Sequence, residues 1–274
     1  MPTASYLGRA MSTEALLSGE LVVAADADTL CLVQVTDTHL TGTQEGRLLG
    51  MNTERSAKAV IEAVLANEIA DCILVTGDIA ADGQPDAYAQ LQALLGAIVP
   101  SLWLPGNHDD VSNHKDQYAA HMKRRLCARY WDVVMLETQV EGEVGGVLSA
   151  TELEALKRAV DDALAANKAL LIATHHPLRF LDSAWLDDQS VKNASEALEI
   201  IKPIADQAAL ISGHVHQESD DVVSGVRMMT TPSTCVQFAP HSHDFALDAS
   251  DPGYRRLVLH PDARLETQVV RISD

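Results

Sequence analysis

Basic residues are scarce. Twenty lysines and arginines face 39 aspartates and glutamates, for a formal net charge of −19. Nucleic-acid and anionic-membrane surfaces draw their affinity from clustered Lys and Arg, so no nucleic-acid and no membrane partner is expected. The short KRR run at 123–125 reads as a solvated basic spot. Long apolar runs are missing as well, and none approaches the ~18 residues of a membrane helix. The first 29 residues have no basic start followed by a continuous apolar core, so they do not read as a secretory signal. They read as a loosely ordered N-terminal leader. Cysteine is sparse: Cys31, Cys72, Cys127 and Cys235 are scattered with no C-x-x-C pairing. That pattern fits a reducing cytoplasm better than a disulfide framework. Internal repeats, low-complexity tracts and clear linkers are absent, so residues 30–274 are expected to form one domain.

What is present is an alternation of short apolar runs with amphipathic segments. LCLVQV (30–35), CILV (72–75), SLWL (101–104), DVVML (132–136), ALLIA (169–173) and 209–211 have the length and content of buried strands. In the segment 52–65, Ala57, Val60, Ile61, Val64 and Leu65 recur at helical spacing behind Asn52 or Thr53 as cap. Residues 85–98 and 149–166 repeat the pattern, the latter with Ser149 or Thr151 as cap and Glu152 close behind. Such alternation predicts an α/β fold with much parallel sheet. After Gly213 the segments 226–231, 255–260 and 264–270 read as short strands with no helix between them, an antiparallel finish to a second sheet.

The polar residues fall at the ends of these strands. LVQVTDTH ends in Asp37 and His39, ILVTGD in Asp78, and LWLPGNHD in Asn107 and His108. LLIATHHP ends in His175 and His176, and ALISGHVH in His214 and His216. In open α/β sheets the ligand crevice lies beyond the carboxyl ends of the strands, so five turns would deliver these groups to one edge. Each motif alone is weak, since D-x-H and G-D are also caps and turns. Five together are far better explained by one shared site. Carboxylates, an amide oxygen and imidazoles without thiolate suit Mn, Fe or Zn, and seven donors exceed the needs of one ion. Two divalent ions could share a carboxylate and clamp both oxygens of an in-line displacement at phosphorus. They would also make a positive pocket on an acidic protein.

Taken in order, D-x-H (Asp37, His39), G-D (Gly77, Asp78), G-N-H-D (Gly106 to Asp109), H-H-P (His175 to Pro177) and G-H-x-H (Gly213 to His216) resemble the calcineurin-like metallophosphoesterases. LLGMNTERS (48–56), residues 175–198, SGHVHQE (212–218) and residues 231–248 are similar to the bacterial class III cyclic 3',5'-AMP phosphodiesterase branch. The resemblance implies a four-layer α/β/β/α sandwich of two mixed sheets flanked by helices. It implies two divalent metal ions, Fe and/or Mn with Zn also acceptable. Asp37, His39 and His216 would hold one ion, Asn107, His175 and His214 the other, and Asp78 both, with a metal-bridging hydroxide as nucleophile. His108 would be the catalytic group facing the phosphate, with Asn107 and His39 beside it as substrate contacts. Counting back from Pro177 selects His175 and leaves His176 aside.

The expected activity is hydrolysis of cyclic 3',5'-AMP to 5'-AMP in the cytoplasm. A broader phosphodiesterase acting on glycerophosphodiesters or other nucleotides is the alternative, and a non-catalytic scaffold of the same fold a more distant one. A homodimer stays open. So does Asp109, as an orienting partner of His108, a helix cap or a salt bridge. His241 and His243 mimic the metal motif without its strand and glycine, and are expected to be a loop feature. His114 and His121 read as two exposed histidines, and Trp103 as a core residue with base stacking as the other option. Arg47 and Asn52 are weak candidates for substrate contact, Asn52 being equally a helix cap. The Gly145-Gly146 loop lacks the histidine that relatives often carry there, which puts a phosphate contact from that loop in doubt.

Overall fold

The computed structural model describes residues 20–22, 28–110 and 118–273. Two mixed sheets face each other. In the first, β2 (Leu30–Val35), followed in the chain by the short hairpin of β3 (Arg47–Leu48) and β4 (Met51–Asn52), pairs in parallel with β5 (Cys72–Thr76), which pairs in parallel with β6 (Ser101–Leu104). The second runs through β8 (Trp131–Met135), β9 (Ala169–Ala173) and β10 (Ala208–Ser212), all parallel, then β12 (Val226–Thr230), parallel to β10. Its far edge is β11 (Ser219–Val223), antiparallel to β12, and its near edge is β7 (Arg125–Cys127) with β1 (Glu20–Val22). The leader of the sequence reading thus contributes a strand.

The strands after Gly213 divide between the two sheets. The antiparallel pair β15 (Gly253–Leu259) and β16 (Leu265–Arg271) joins the first sheet, with Leu257 opposite Leu32. The expected antiparallel finish to one second sheet is therefore corrected: β12 extends the second sheet in parallel, while β15 closes the first. Burial explains the split. Leu257 and Leu259 complete the apolar layer between the sheets, and Met229 completes its opposite face.

Alternation along each strand makes the layers. Leu32, Leu74 and Leu102 meet Val133, Leu171 and Ile211 between the sheets. Their neighbours Val33, Val35, Ile73 and Val75 turn outward onto α1 (Thr53–Asn67) and α2 (Pro85–Leu95). On the other side Val134, Leu170, Ile172 and Leu210 pack against α3 (Ala150–Ala166) and, past the short α4 (Ala184–Asp187), α5 (Ala194–Ile201). The result is the expected α/β/β/α sandwich. Near the strand ends the seam turns polar: buried Gln34 donates to Thr76 Oγ1 (2.8 Å) and Ser212 O (3.2 Å) and accepts from Thr231, tying the sheets where the site begins.

Caps behave as the sequence indicates. Asn52 accepts from Arg55 N–H (2.8 Å) and Ser149 from Glu152 N–H (3.2 Å). α2 stops at Leu95, short of the expected 98, because Gly96 takes φ +64°. Trp103 is a core residue, 1% exposed and stacked on His121 at 4.4 Å, so it offers no base-stacking face. His121 is consequently not an exposed histidine, and His114 lies outside the described residues. The basic spot is not simply solvated either: Arg124 pairs with Glu137 and Glu152, and Arg125 with Asp132 and Asp162. The four cysteines are free. Among the described residues no helix is long and apolar enough to cross a membrane.

Candidate metal centre

Five parallel strands, β2, β5 and β6 of one sheet and β9 and β10 of the other, end at the same edge. Each releases its polar residues within three or four positions of its last strand residue. The backbone there is unusual. Among the described residues eleven non-glycines have positive φ, and five of them are Asp37 (54°), His39 (43°), Asp78 (49°), His214 (67°) and His216 (49°). Such conformations cost roughly 1–3 kcal/mol each and persist where the surroundings over-determine them. Two glycines allow the close approach. A Cβ on Gly77, at φ +100°, would strike the His175 ring, and one on Gly106 would strike the Asp78 carboxylate.

The side chains converge. Ligating atoms of Asp37, His39 and His216 lie within 4.8 Å of one another, as do those of Asp37, Asp78 and His175. His216 Nε2 is 3.3 Å from Asp37 Oδ1 and 3.2 Å from His39 Nε2, and His39 Nε2 is 3.6 Å from Asp78 Oδ2. On the other flank, His175 Nε2 is 3.4 Å from Asp78 Oδ1 and 3.2 Å from Asn107 Oδ1. His214 joins through a cluster with His175 and His176. Asp78 stands between the two groups.

Outer contacts aim these donors. His175 Nδ1–H donates to Thr76 O (2.8 Å) and His216 Nδ1–H to Val236 O (2.7 Å), so both rings turn Nε2 inward, as metal-binding imidazoles do. Asp37 accepts from His214 N–H (3.0 and 3.1 Å) and from Thr36 Oγ1 (2.7 Å), while Asp78 accepts from His108 N–H (2.9 Å). Ser233 Oγ donates to Asp37 O (2.7 Å). Thr36, Ser233 and Val236 went unnoticed as supports in the sequence. The only signal was their place beside the motifs, in TDTH and TPSTCV.

The electrostatics are those of a cation site. Burial works against the Asp37 carboxylate, yet His216 beside it holds it below the ordinary carboxylate value, and His175 does the same for Asp78 more strongly. Burial also opposes a charge on His175, but Asp78 pushes it up to about 9. Burial holds His39 down at about 4, and His214 well below its usual value. His214 Nε2 is buried with no hydrogen-bond partner, which is costly unless something else satisfies it. Two buried carboxylates amid imidazole nitrogens, one of them orphaned, fit divalent cations by charge and by donor type.

Three neighbours resolve differently. His176 accepts from or donates to Thr138 Oγ1 at Nδ1 (2.7 Å) and donates from Nε2 to Val144 O (3.0 Å), so both ring nitrogens are engaged. Gly146 backs this ring closely, a packing role for the Gly145-Gly146 loop. His108 is exposed, with Nδ1–H donating to Ala81 O (2.9 Å) and its ring edge-on to His39 at 5.0 Å. Asp109 is neither a helix cap nor in direct contact with the His108 ring. Its carboxylate accepts from Ile79, Ala80 and Gly106 N–H (3.1, 2.8 and 2.8 Å) and from Tyr88 OH (3.0 Å).

Of the other candidates, His241 and His243 sit exposed on a loop outside these clusters. Asn52 caps its helix and donates to Gln44 O (2.7 Å), and Arg47 donates to Gly50 O (2.9 Å). Both line a surface cleft of about 610 Å³ together with Val236 and Gln237.

A family model for calcineurin-like phosphoesterases matches residues 32–218, which span every one of these strand ends. The chain belongs to the calcineurin-like phosphoesterase family. Within it, the chain is 38% identical to a Pseudomonas aeruginosa protein named 3',5'-cyclic adenosine monophosphate phosphodiesterase CpdA, covering 92% of this chain and 93% of that protein. It is 39% identical to the Escherichia coli (strain K12) protein of the same name, over 89% of this chain and 90% of that one. A dimetal phosphatase from Danio rerio shares the calcineurin-like phosphoesterase fold with a TM-score of 0.59 at 16% identity, covering 89% of this chain and 99% of that one.

Proposed function

We propose that this protein hydrolyses cyclic 3',5'-AMP to 5'-AMP at a centre of two divalent metal ions. Asp37, His39 and His216 would hold one ion and Asn107, His175 and His214 the other, with Asp78 shared. Fe and Mn suit this mixed oxygen and nitrogen set, and Zn is acceptable to it. The observation that carries the reading is the convergence of all seven donors at one edge, with a buried, unpartnered nitrogen on His214. The names of the relatives that match over about nine-tenths of the chain supply the substrate class. The four free thiols agree with a reducing, cytoplasmic setting.

When bound, two divalent ions supply the charge that polarises the phosphate and make a water-derived nucleophile available near neutral pH. The chain does the rest. Water oxygen attacks phosphorus in line with the bond to O3', which breaks, and the leaving oxygen needs a proton. His108 would give it: with Nδ1–H held by Ala81 O, Nε2 is the nitrogen left to donate. Asn107 would also contact the phosphate, and His39 lies against the His108 ring, with centroids 5.0 Å apart.

The test is turnover by metal-reconstituted protein on cyclic AMP, cyclic GMP and a generic diester, alongside Asn107→Ala and His214→Ala. Each variant is expected to lose about two orders of magnitude or more in kcat with an unchanged circular dichroism spectrum. Chelator-stripped protein that works equally well would sink the reading. Comparable efficiency on all three substrates would favour the broader phosphodiesterase.

A further inference from the structure

The chain has three phenylalanines and three tryptophans, and half of these six rings gather in one place that the reaction above does not use. Phe238 stacks on the His216 ring, with centroids 4.2 Å apart and planes 9° from parallel. Trp185 meets Phe238 edge-on at 5.1 Å, and Phe245 meets both edge-on at 5.3 and 5.6 Å. The rings rest on the G-H-V-H segment itself. Val215, between His214 and His216, packs with Leu181 and Leu186 against Trp185 and Phe238.

Hydrogen bonds hold this wall in position. Phe238 and Phe245 belong to a hairpin in which β13 (Gln237–Phe238) pairs with β14 (Leu247–Asp248), closed further by Ala239 N–H to Ala246 O at 2.9 Å. Gln217 donates to Ala239 O (3.2 Å) and Ser183 Oγ (3.4 Å), tying the hairpin to the turn that carries Trp185. The core does not need the outermost ring, since Phe245 is 53% exposed. One exposed phenylalanine means little. Three rings in mutual contact, continuous with a residue of the centre and open at their outer end, form a platform.

We propose that Phe245, backed by Trp185 and Phe238, is the surface on which the nucleobase of a cyclic nucleotide stacks while its phosphate is held at the centre. This rests on the cyclic-nucleotide reading above. The ribose separates base from phosphorus by one ring, and one ring, Phe238, stands between Phe245 and His216, with centroid steps of 5.6 and 4.2 Å. Aromatic side chains stack any base through its π-face, so the platform raises affinity for nucleotides as a class without choosing among them.

The experiment measures kcat/KM for cyclic AMP, for cyclic GMP and for trimethylene phosphate, a cyclic diester with no base, followed by phosphorus NMR on metal-loaded protein. Phe245→Ala is expected to lower kcat/KM about tenfold for both nucleotides, chiefly through KM, while the base-free ester keeps its wild-type rate. Phe245→Trp, which restores an aromatic face, is expected to retain nucleotide turnover. An equal loss on all three substrates, or no loss on cyclic AMP, would overturn the platform. Wild-type protein that turns over the base-free ester but neither nucleotide would overturn the cyclic-nucleotide reading and the platform with it, a separate and recognisable result.

Discussion

Asp109 shows how a single residue can serve a site without facing it. Burial, reinforced by Asp78, raises its carboxyl to about 6, and it nonetheless accepts four hydrogen bonds. Two of its donors, the Ile79 and Ala80 amides, follow Asp78. A third, Gly106 N–H, precedes Asn107, so one carboxylate fastens the loops that present two of the donors. The same clasp fixes the chain just ahead of Ala81, whose carbonyl holds His108. Asp109→Ala would leave several buried donors unpaired, and a loss of roughly 3 kcal/mol or more in unfolding free energy is expected from thermal or urea melts. Weaker metal binding by calorimetry should accompany it. Tyr88→Phe removes a hydroxyl that donates to Asp109 and accepts from Asp110 N–H, at a cost of about 1–3 kcal/mol, and its turnover is expected to stay near wild type. Full metal affinity in Asp109→Ala would refute the clasp.

At the scale of elements, the helix that follows the 47–52 hairpin separates two readings of Asn52. The structure gives its side chain two local jobs, capping Arg55 N–H and donating to Gln44 O. Asn52→Ala is therefore expected to cost about 1 kcal/mol of stability with KM for cyclic AMP unchanged, as melts and initial-rate kinetics would show. A raised KM with unaltered stability would restore the substrate-contact reading. Strands and helices were legible here because their apolar periodicity is local: β2, β6 and β9 have the boundaries that the apolar runs indicate. The destinations of the late strands were not legible. Nothing in RRLVLH says whether it pairs with β2 or extends β12. That depends on which apolar face remains open once the parallel strands are in place. The two-residue strands of the aromatic hairpin carry no periodicity at all.

At the scale of the whole molecule, a chain with a net charge of −19 buries two of its carboxylates, Asp37 and Asp78, among the donors at its functional edge. Cations that bind the folded site and not the unfolded chain stabilise it by mass action, about 2.7 kcal/mol at a hundredfold excess over Kd. For a chain of this size that corresponds to an expected fall in Tm of roughly 5–10 °C on chelation, reversed by Mn or Fe in differential scanning calorimetry. Asp78→Asn, which removes one of the two carboxylates, should shrink that difference. A Tm indifferent to metal would count against a resident dinuclear centre.

The sequence by itself determined which residue types stand at which strand ends: carboxylates, an amide and imidazoles without a thiolate, in a fixed order along the chain. Those are one-dimensional facts, and they suffice for the class of chemistry. Only the tertiary structure decided which nitrogens point inward, that His176 is engaged elsewhere, that Asp109 binds backbone amides, and that Phe238, backed by Trp185 and Phe245, stacks on His216. Each of those depends on contacts between segments that are far apart in the chain, which packing selects and no local pattern records.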